Sequence, residues 1–149
     1  MAKVTVPGLK ASTGMKPFEP LDSGRYKLKC MLTKIEPSKK GTPVDVWKFE
    51  FQVLKGPDQA DGKSPNGKKY FHNVSIFQEI HPDFGKYTFG VDELKSMCLA
   101  FGVVPKGDTL DPDAFLGLEG ECDIVKKLEK NEQTGEDVPR NRVNKWIHQ

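Results

Sequence analysis

Asp92-Glu93-Leu94-Lys95-Ser96-Met97-Cys98-Leu99-Ala100-Phe101-Gly102 is the stretch that decides the architecture, because here the hydrophobic period of the chain changes. Leu94, Met97, Cys98 and Phe101 fall at i, i+3, i+4 and i+7, one apolar stripe of a helix. Asp92 and Glu93 suit the positive end of its dipole, and Gly102 suits its stop. On both sides of this stretch the period is two. One helix set among strands is the pattern to be explained.

Upstream, a strand starts at Arg25, where Tyr26, Leu28, Cys30 and Leu32 alternate with Arg25, Lys27, Lys29, Met31 and Thr33. The run Glu36 to Pro43 breaks it. Val44 to Leu54 places Trp47, Phe49, Phe51 and Val53 on one face and Val46, Lys48, Glu50 and Gln52 on the other, the clearest half-buried strand in the chain. A polar loop, Lys55 to Gly67, has few apolar residues to pin it and is expected to be mobile. A third strand, Lys68 to Phe77, sets Tyr70, His72, Val74 and Ile76 against Lys69, Phe71, Asn73, Ser75 and Phe77. Downstream of the helix, Asp111-Pro112-Asp113-Ala114-Phe115-Leu116-Gly117 has a capping Asp, a Pro at the first helical position and a Gly stop. Strands over about Glu119 to Leu128 and Arg140 to Ile147 close the set.

Three strands, a helix and two strands make a mainly β protein. The layout is that of a five-stranded, OB-fold-like antiparallel barrel with one α-helix between strands three and four, the helix plugging one end. An open sheet with a helix on one face, or an incomplete Greek-key sandwich, shares this order, and periodicity does not decide closure. Residues 1–20, with Lys3, Lys10 and Lys16 and no sustained period, are expected to form a basic N-terminal arm, and residues 21–149 the domain.

A chain of 149 residues can bury a core without staples. Net charge is only +2, yet residues 1–48 carry ten Lys/Arg against four Asp/Glu, and the remainder thirteen against seventeen. That asymmetry fits a polyanion-binding face, and a plain solvated basic surface as well. No apolar run is long enough to span a membrane, and neither a membrane segment nor a signal peptide is expected. Cys30, Cys98 and Cys122 lie far apart and share faces with apolar residues, which suggests reduced thiols in a cytoplasmic chain.

The succession Gly24-Arg25-Tyr26, Trp47-Lys48-Phe49-Glu50-Phe51, Gly67-Lys68-Lys69-Tyr70-Phe71, Leu94 to Gly102, Phe115-Leu116-Gly117 and Arg140-Asn141-Arg142-Val143 resembles a family of small bacteriophage proteins. The similarity covers roughly residues 21–147. It implies an OB-fold protein that binds single-stranded DNA in phage replication and recombination, working in the host cytoplasm and meeting replication or recombination proteins. Many such proteins end in an acidic tail, whereas this sequence ends Lys145-Trp146-Ile147-His148-Gln149.

No catalytic constellation stands out. His72, His81 and His148 are scattered, and neither HExxH nor CxxC occurs. Gly62-Lys63-Ser64 ends like a phosphate loop, but Pro57 stands where its first glycine belongs. Glu119, Glu121 and Asp123 alternate on a strand face, as a solvated side does. No enzyme activity, cofactor or metal is therefore expected, and oligomeric state is not legible. The expected binding face comprises Arg25, Lys27, Lys29, Lys39, Lys40, Lys48, Lys69, Arg140 and Arg142 for phosphates, with Phe71 and Trp146 as stacking rings. Phe77 shares the parity of Phe71. Arg25 to Lys29 and Arg140 to Ile147, basic strands bearing an aromatic at the two ends of the chain, are expected to share one surface. An edge strand kept soluble by its charges gives the same pattern. The alternative function is an OB-like protein-interaction module, such as a recombination accessory or an inhibitor of a host enzyme.

Overall fold

Alternating apolar and polar residues become five antiparallel strands: β1 (Gly24–Pro37), β2 (Val44–Lys55), β3 (Lys69–Phe77), β4 (Glu119–Lys130) and β5 (Asp137–Ile147). Helix α1 (Phe89–Phe101) lies between β3 and β4, as expected, and begins three residues before Asp92. The structure is a computed structural model that describes residues 3–11, 20–37, 44–77, 89–131 and 133–149. Within α1, Met97, Cys98 and Phe101 are buried, and Leu94 packs against the core. Gly102 takes a left-handed φ of 74°, and the Val103 N–H donates to the Cys98 carbonyl, which closes the helix. Asp111 caps the short 3-10 turn Pro112–Phe115 by accepting from the Asp113 N–H at 2.9 Å.

The sheet order is β3-β2-β1-β4-β5. Among the described residues no ladder joins β3 to β5, so the question of closure, which periodicity left undecided, is answered by an open, barrel-like sheet. The physical reason is that side chains, not backbone, fill the seam. The His72 ring on β3 meets the Trp146 ring on β5 edge-on at 5.5 Å, and α1 lies against both edges through Glu93–His72 and Phe101–Trp146. No helix among the described residues is long and apolar enough to cross a membrane.

Two bulges correct the strand faces. On β1, Cys30 stands opposite Phe51 but Leu32 opposite Glu50, so Met31 is an extra residue. Parity flips there, and Leu32, expected inside, is 60% exposed. On β5, Lys145 pairs with Asp123 while Val143 pairs with Ile124, so Asn144 is the extra residue. Trp146, expected outside with Arg142, is turned into the core and is 5% exposed. Both corrections share one cause: a single inserted residue moves every later side chain to the other face.

The loop between β2 and β3 has a buried polar anchor that its composition does not reveal. Gln59 and Pro65 are buried. The Gln59 amide donates to the Tyr26 hydroxyl at 2.9 Å and to the Pro57 carbonyl at 2.8 Å, and accepts from the Asp22 N–H at 2.8 Å. One polar residue thus pins a loop that has few apolar ones. Of the N-terminal arm, residues 3–11 are exposed, and residues 12–19 lie outside the described residues.

Gly120 on β4 sits beneath the helix, where a Cβ would come within 2.8 Å of the Phe101 ring. A Gly120→Ala protein should therefore unfold at lower denaturant concentration, by the ~1–3 kcal/mol typical of overpacking. An unchanged urea midpoint would show that α1 can lift off β4 at no cost.

Candidate nucleic-acid interface

Phe71 is the one exposed aromatic ring among the described residues, at 58%. Its exposure follows from strand parity: Tyr70 and Val74 point into the core, and Phe71, with Lys69 and Asn73, points away from it. Across the seam β5 presents Arg140 and Arg142. Between the edge strands lies a cavity of about 390 Å³ lined by Phe71, His72, Asn73, Glu129, Arg140 and Arg142, among others. A second, of about 320 Å³, adjoins it along Pro20, Phe71, Pro139 and Arg140. β5 is fixed beside this cleft by Asn141, whose side-chain amide accepts from the Leu21 N–H at 2.8 Å and donates to the Leu21 carbonyl at 2.7 Å.

The cleft is polar on its helical side. The His72 imidazole lies 2.5 Å from the Glu93 carboxylate and 3.3 Å from the Tyr70 hydroxyl. Burial pushes the Tyr70 phenol far above its ordinary range, so it stays neutral. The Trp146 indole N–H is buried and has no acceptor among the described residues.

Most cations expected in the face already hold a carboxylate. Arg25 makes a two-point contact with Asp123, at 2.8 and 3.2 Å. This hydrogen-bonded contact holds the Asp123 carboxyl below its usual range. Lys27 lies 3.8 Å from Glu119, and Lys69 lies 3.7 Å from Glu50. Lys48 and Lys34 share Glu36, at 2.6 and 2.5 Å. Arg142 binds Glu129, whose other carboxylate oxygen is 3.8 Å from the Arg140 Nε. Lys29 stands opposite Glu119 on β4 without an ion pair among the described residues. Lys39 and Lys40 lie outside the described residues, as does the side chain of Phe77.

The expectation of one basic surface made from both ends of the chain is not met. β4 separates β1 from β5, and its outer face carries Glu119, Glu121 and Asp123. Phe71, Arg140 and Arg142 come together at the seam, while Lys69, two residues before Phe71 on β3, reaches Glu50 on β2, and Lys48 stands opposite Asn73. Arg25, Lys27 and Lys29 sit on the central strand, away from both edges. Trp146 belongs to the core. Sequence reasoning missed Glu129 and Glu93, because neither parity nor spacing shows which carboxylate a long cation will reach across a seam.

Chemically the seam offers two guanidiniums and a flat apolar ring around an open cleft of about 390 Å³. No group of three or more metal-ligating side chains occurs among the described residues. Burial pushes the Cys30 and Cys122 thiols up to about 11 and about 12, which fits packing rather than reactivity. No family model matches this chain, and no curated protein does.

Glu36 supplies a test of the charge pairing. Hydrogen bonds from Lys34 and then Lys48 lower its pKa to about 2. A depressed folded value means that whatever stability the cluster adds is present above the ordinary Glu pKa and is lost as pH falls towards 2. An NMR titration should put the Glu36 midpoint near that value, and Lys48→Ala should move it up; an ordinary midpoint in the unmodified protein would dissolve the cluster.

The two rings give opposite stability predictions. Trp146→Ala should cost ~3–5 kcal/mol, as for other buried aromatics. Phe71→Ala should cost far less. Chemical denaturation of both variants checks the order, and a reversed order would put the β5 bulge elsewhere.

Proposed function

We propose that this protein binds single-stranded DNA with little sequence preference, at the β3–β5 seam, without catalysing a reaction on it. The observation that carries this reading is the exposed Phe71 ring standing beside Arg140 and Arg142 along an open cleft, with Lys69 two residues away on the same strand. Guanidiniums hold phosphates, and a ring stacks on any base because every base has a π-face. A folded domain has little use for an apolar ring on an edge strand, but a strand of unpaired bases does. The resemblance over residues 21–147 supports the same reading and extends it to phage replication and recombination in the host cytoplasm, with replication or recombination proteins as partners.

A second reading, a protein-interaction module, is favoured by a different observation. Met31 and Leu32 at the β1 bulge are exposed, and so are Leu116 and Leu118, whose segment hydrogen-bonds to Cys30. Such an apolar group is one that a protein partner covers.

Fluorescence anisotropy with labelled oligonucleotides over a range of salt concentrations separates the two. Single strand should bind more tightly than duplex, with log K falling against log salt by about 0.7 for each phosphate neutralised. Replacing both Arg140 and Arg142 with Ala should flatten that slope by roughly one unit. Phe71→Ala should weaken binding by ~1–3 kcal/mol at any sequence. No retention of single strand at low salt would leave the interaction module standing alone.

A further inference from the structure

The Arg140–Glu129–Arg142 group differs from the other ion pairs of the face. Two guanidiniums converge on one carboxylate and engage both of its oxygens. The other shared carboxylate, Glu36, is held by two lysines, which are point charges without a fork. Carboxylate and phosphate present the same kind of two-oxygen edge to arginine, so a site shaped for one takes the other. The arginine side chains are 58% and 66% exposed, and Glu129 lies at the surface of the β4–β5 hairpin, so an exchange needs no opening of the core. Phe71, as exposed as the arginines, lines the same cavity of about 390 Å³, a volume that fits a small organic ligand.

The geometry points to a single-nucleotide subsite in which one phosphate displaces the Glu129 carboxylate from between Arg140 and Arg142 while its base lies on Phe71. This rests on the single-strand reading and names how that site is occupied when DNA is absent. In the free protein Glu129 stands in for the phosphate. A hydrogen bond from Arg142 keeps its carboxyl below the usual range, so the stand-in is charged at neutral pH. The orientation is fixed by what else lines the cavity. Glu93, tied to His72, would repel a phosphate at the helical end, so the phosphate sits at the arginines and the base lies towards Asn73 and His72. Each binding event then exchanges one anion for another at this point, and the site presents one net positive charge fewer than its cations suggest.

The test compares the unmodified protein with Glu129→Gln and Glu136→Gln, using a labelled oligothymidylate over a salt series. Glu136 is on the same hairpin and has no ion pair among the described residues, so it controls for the loss of one negative charge. Glu129→Gln should bind about two- to fivefold tighter, the scale of an exposed ion pair. Its log–log salt slope should steepen by about 0.7. Glu136→Gln should change both far less, and thermal melts should show both variants folded. If the unmodified protein binds and Glu129→Gln binds no tighter, or gains no more than Glu136→Gln, the subsite is wrong while the single-strand reading survives. If only Glu129→Gln binds, the stand-in is a full block and the subsite is upheld. If none of the three binds, both the subsite and the single-strand reading fall.

Discussion

The Phe51 ring holds this fold together. It stacks on Phe49 of its own strand at 5.8 Å, on Tyr70 of β3 at 6.4 Å and on Phe101 of α1 at 5.5 Å, and it meets Trp146 of β5 at 6.0 Å. Phe115 of the 3-10 turn closes on Phe49 and Phe101 from the side. Strand twist and the bulges on β1 and β5 bend the sheet, but no backbone ladder holds its two edges together. Contacts among these rings bring the edge strands round to the same helix, and burying their aromatic area is favourable. The seam is a by-product of the same packing. His72 and Trp146 fill the space where backbone pairing would close the barrel, leaving a cleft outside them.

The fold was legible in the sequence because the signals that set it are local. The step from period two to period 3.6 at Leu94 located the helix, Asp111 and Gly117 marked the 3-10 turn, and Trp47 to Val53 marked the half-buried second strand. What failed were the faces beyond two bulges. Met31 and Asn144 carry no mark that distinguishes them from ordinary strand residues, and each shifted the parity of what followed. Leu32 and Trp146 were misplaced for that reason alone, whereas Phe71, on a strand without a bulge, was placed correctly. Closure was never local information, since it depends on which side chains fill the β3–β5 gap.

The cations of the site were legible and their partners were not. Lys27 meets Glu119, and Arg25 meets Asp123, because β1 and β4 pair in a register that brings residues about a hundred positions apart side by side. The acidic alternation on β4 looked like a solvated face. It is one, but it also neutralises β1 and divides two basic strands that composition suggested were continuous. The network around Gln59 was equally hidden, because a lone glutamine in a polar loop gives no sign that a tyrosine hydroxyl and a backbone amide wait for it.

An exposed ring on an edge strand is a liability, since it invites another chain to pair there, and flanking cations are a common defence. Lys69, Arg140 and Arg142 beside Phe71 would serve that defensive role as well as they would serve phosphates, so their presence does not by itself discriminate. Their pairing does. A guard charge works best uncompensated, facing solvent and repelling its copies. Here Glu129 occupies both arginines and Glu50 stands by the lysine, which weakens any guard. Compensation of this kind makes better sense for cations that must wait for a stronger anion. A carboxylate at each position spares the free protein the self-repulsion of clustered cations, and a polyanion that brings many phosphates at once can outcompete single carboxylates held at the surface. On the proposed reading, stacking on Phe71 adds the part of the affinity that charge exchange alone, nearly neutral site by site, does not supply.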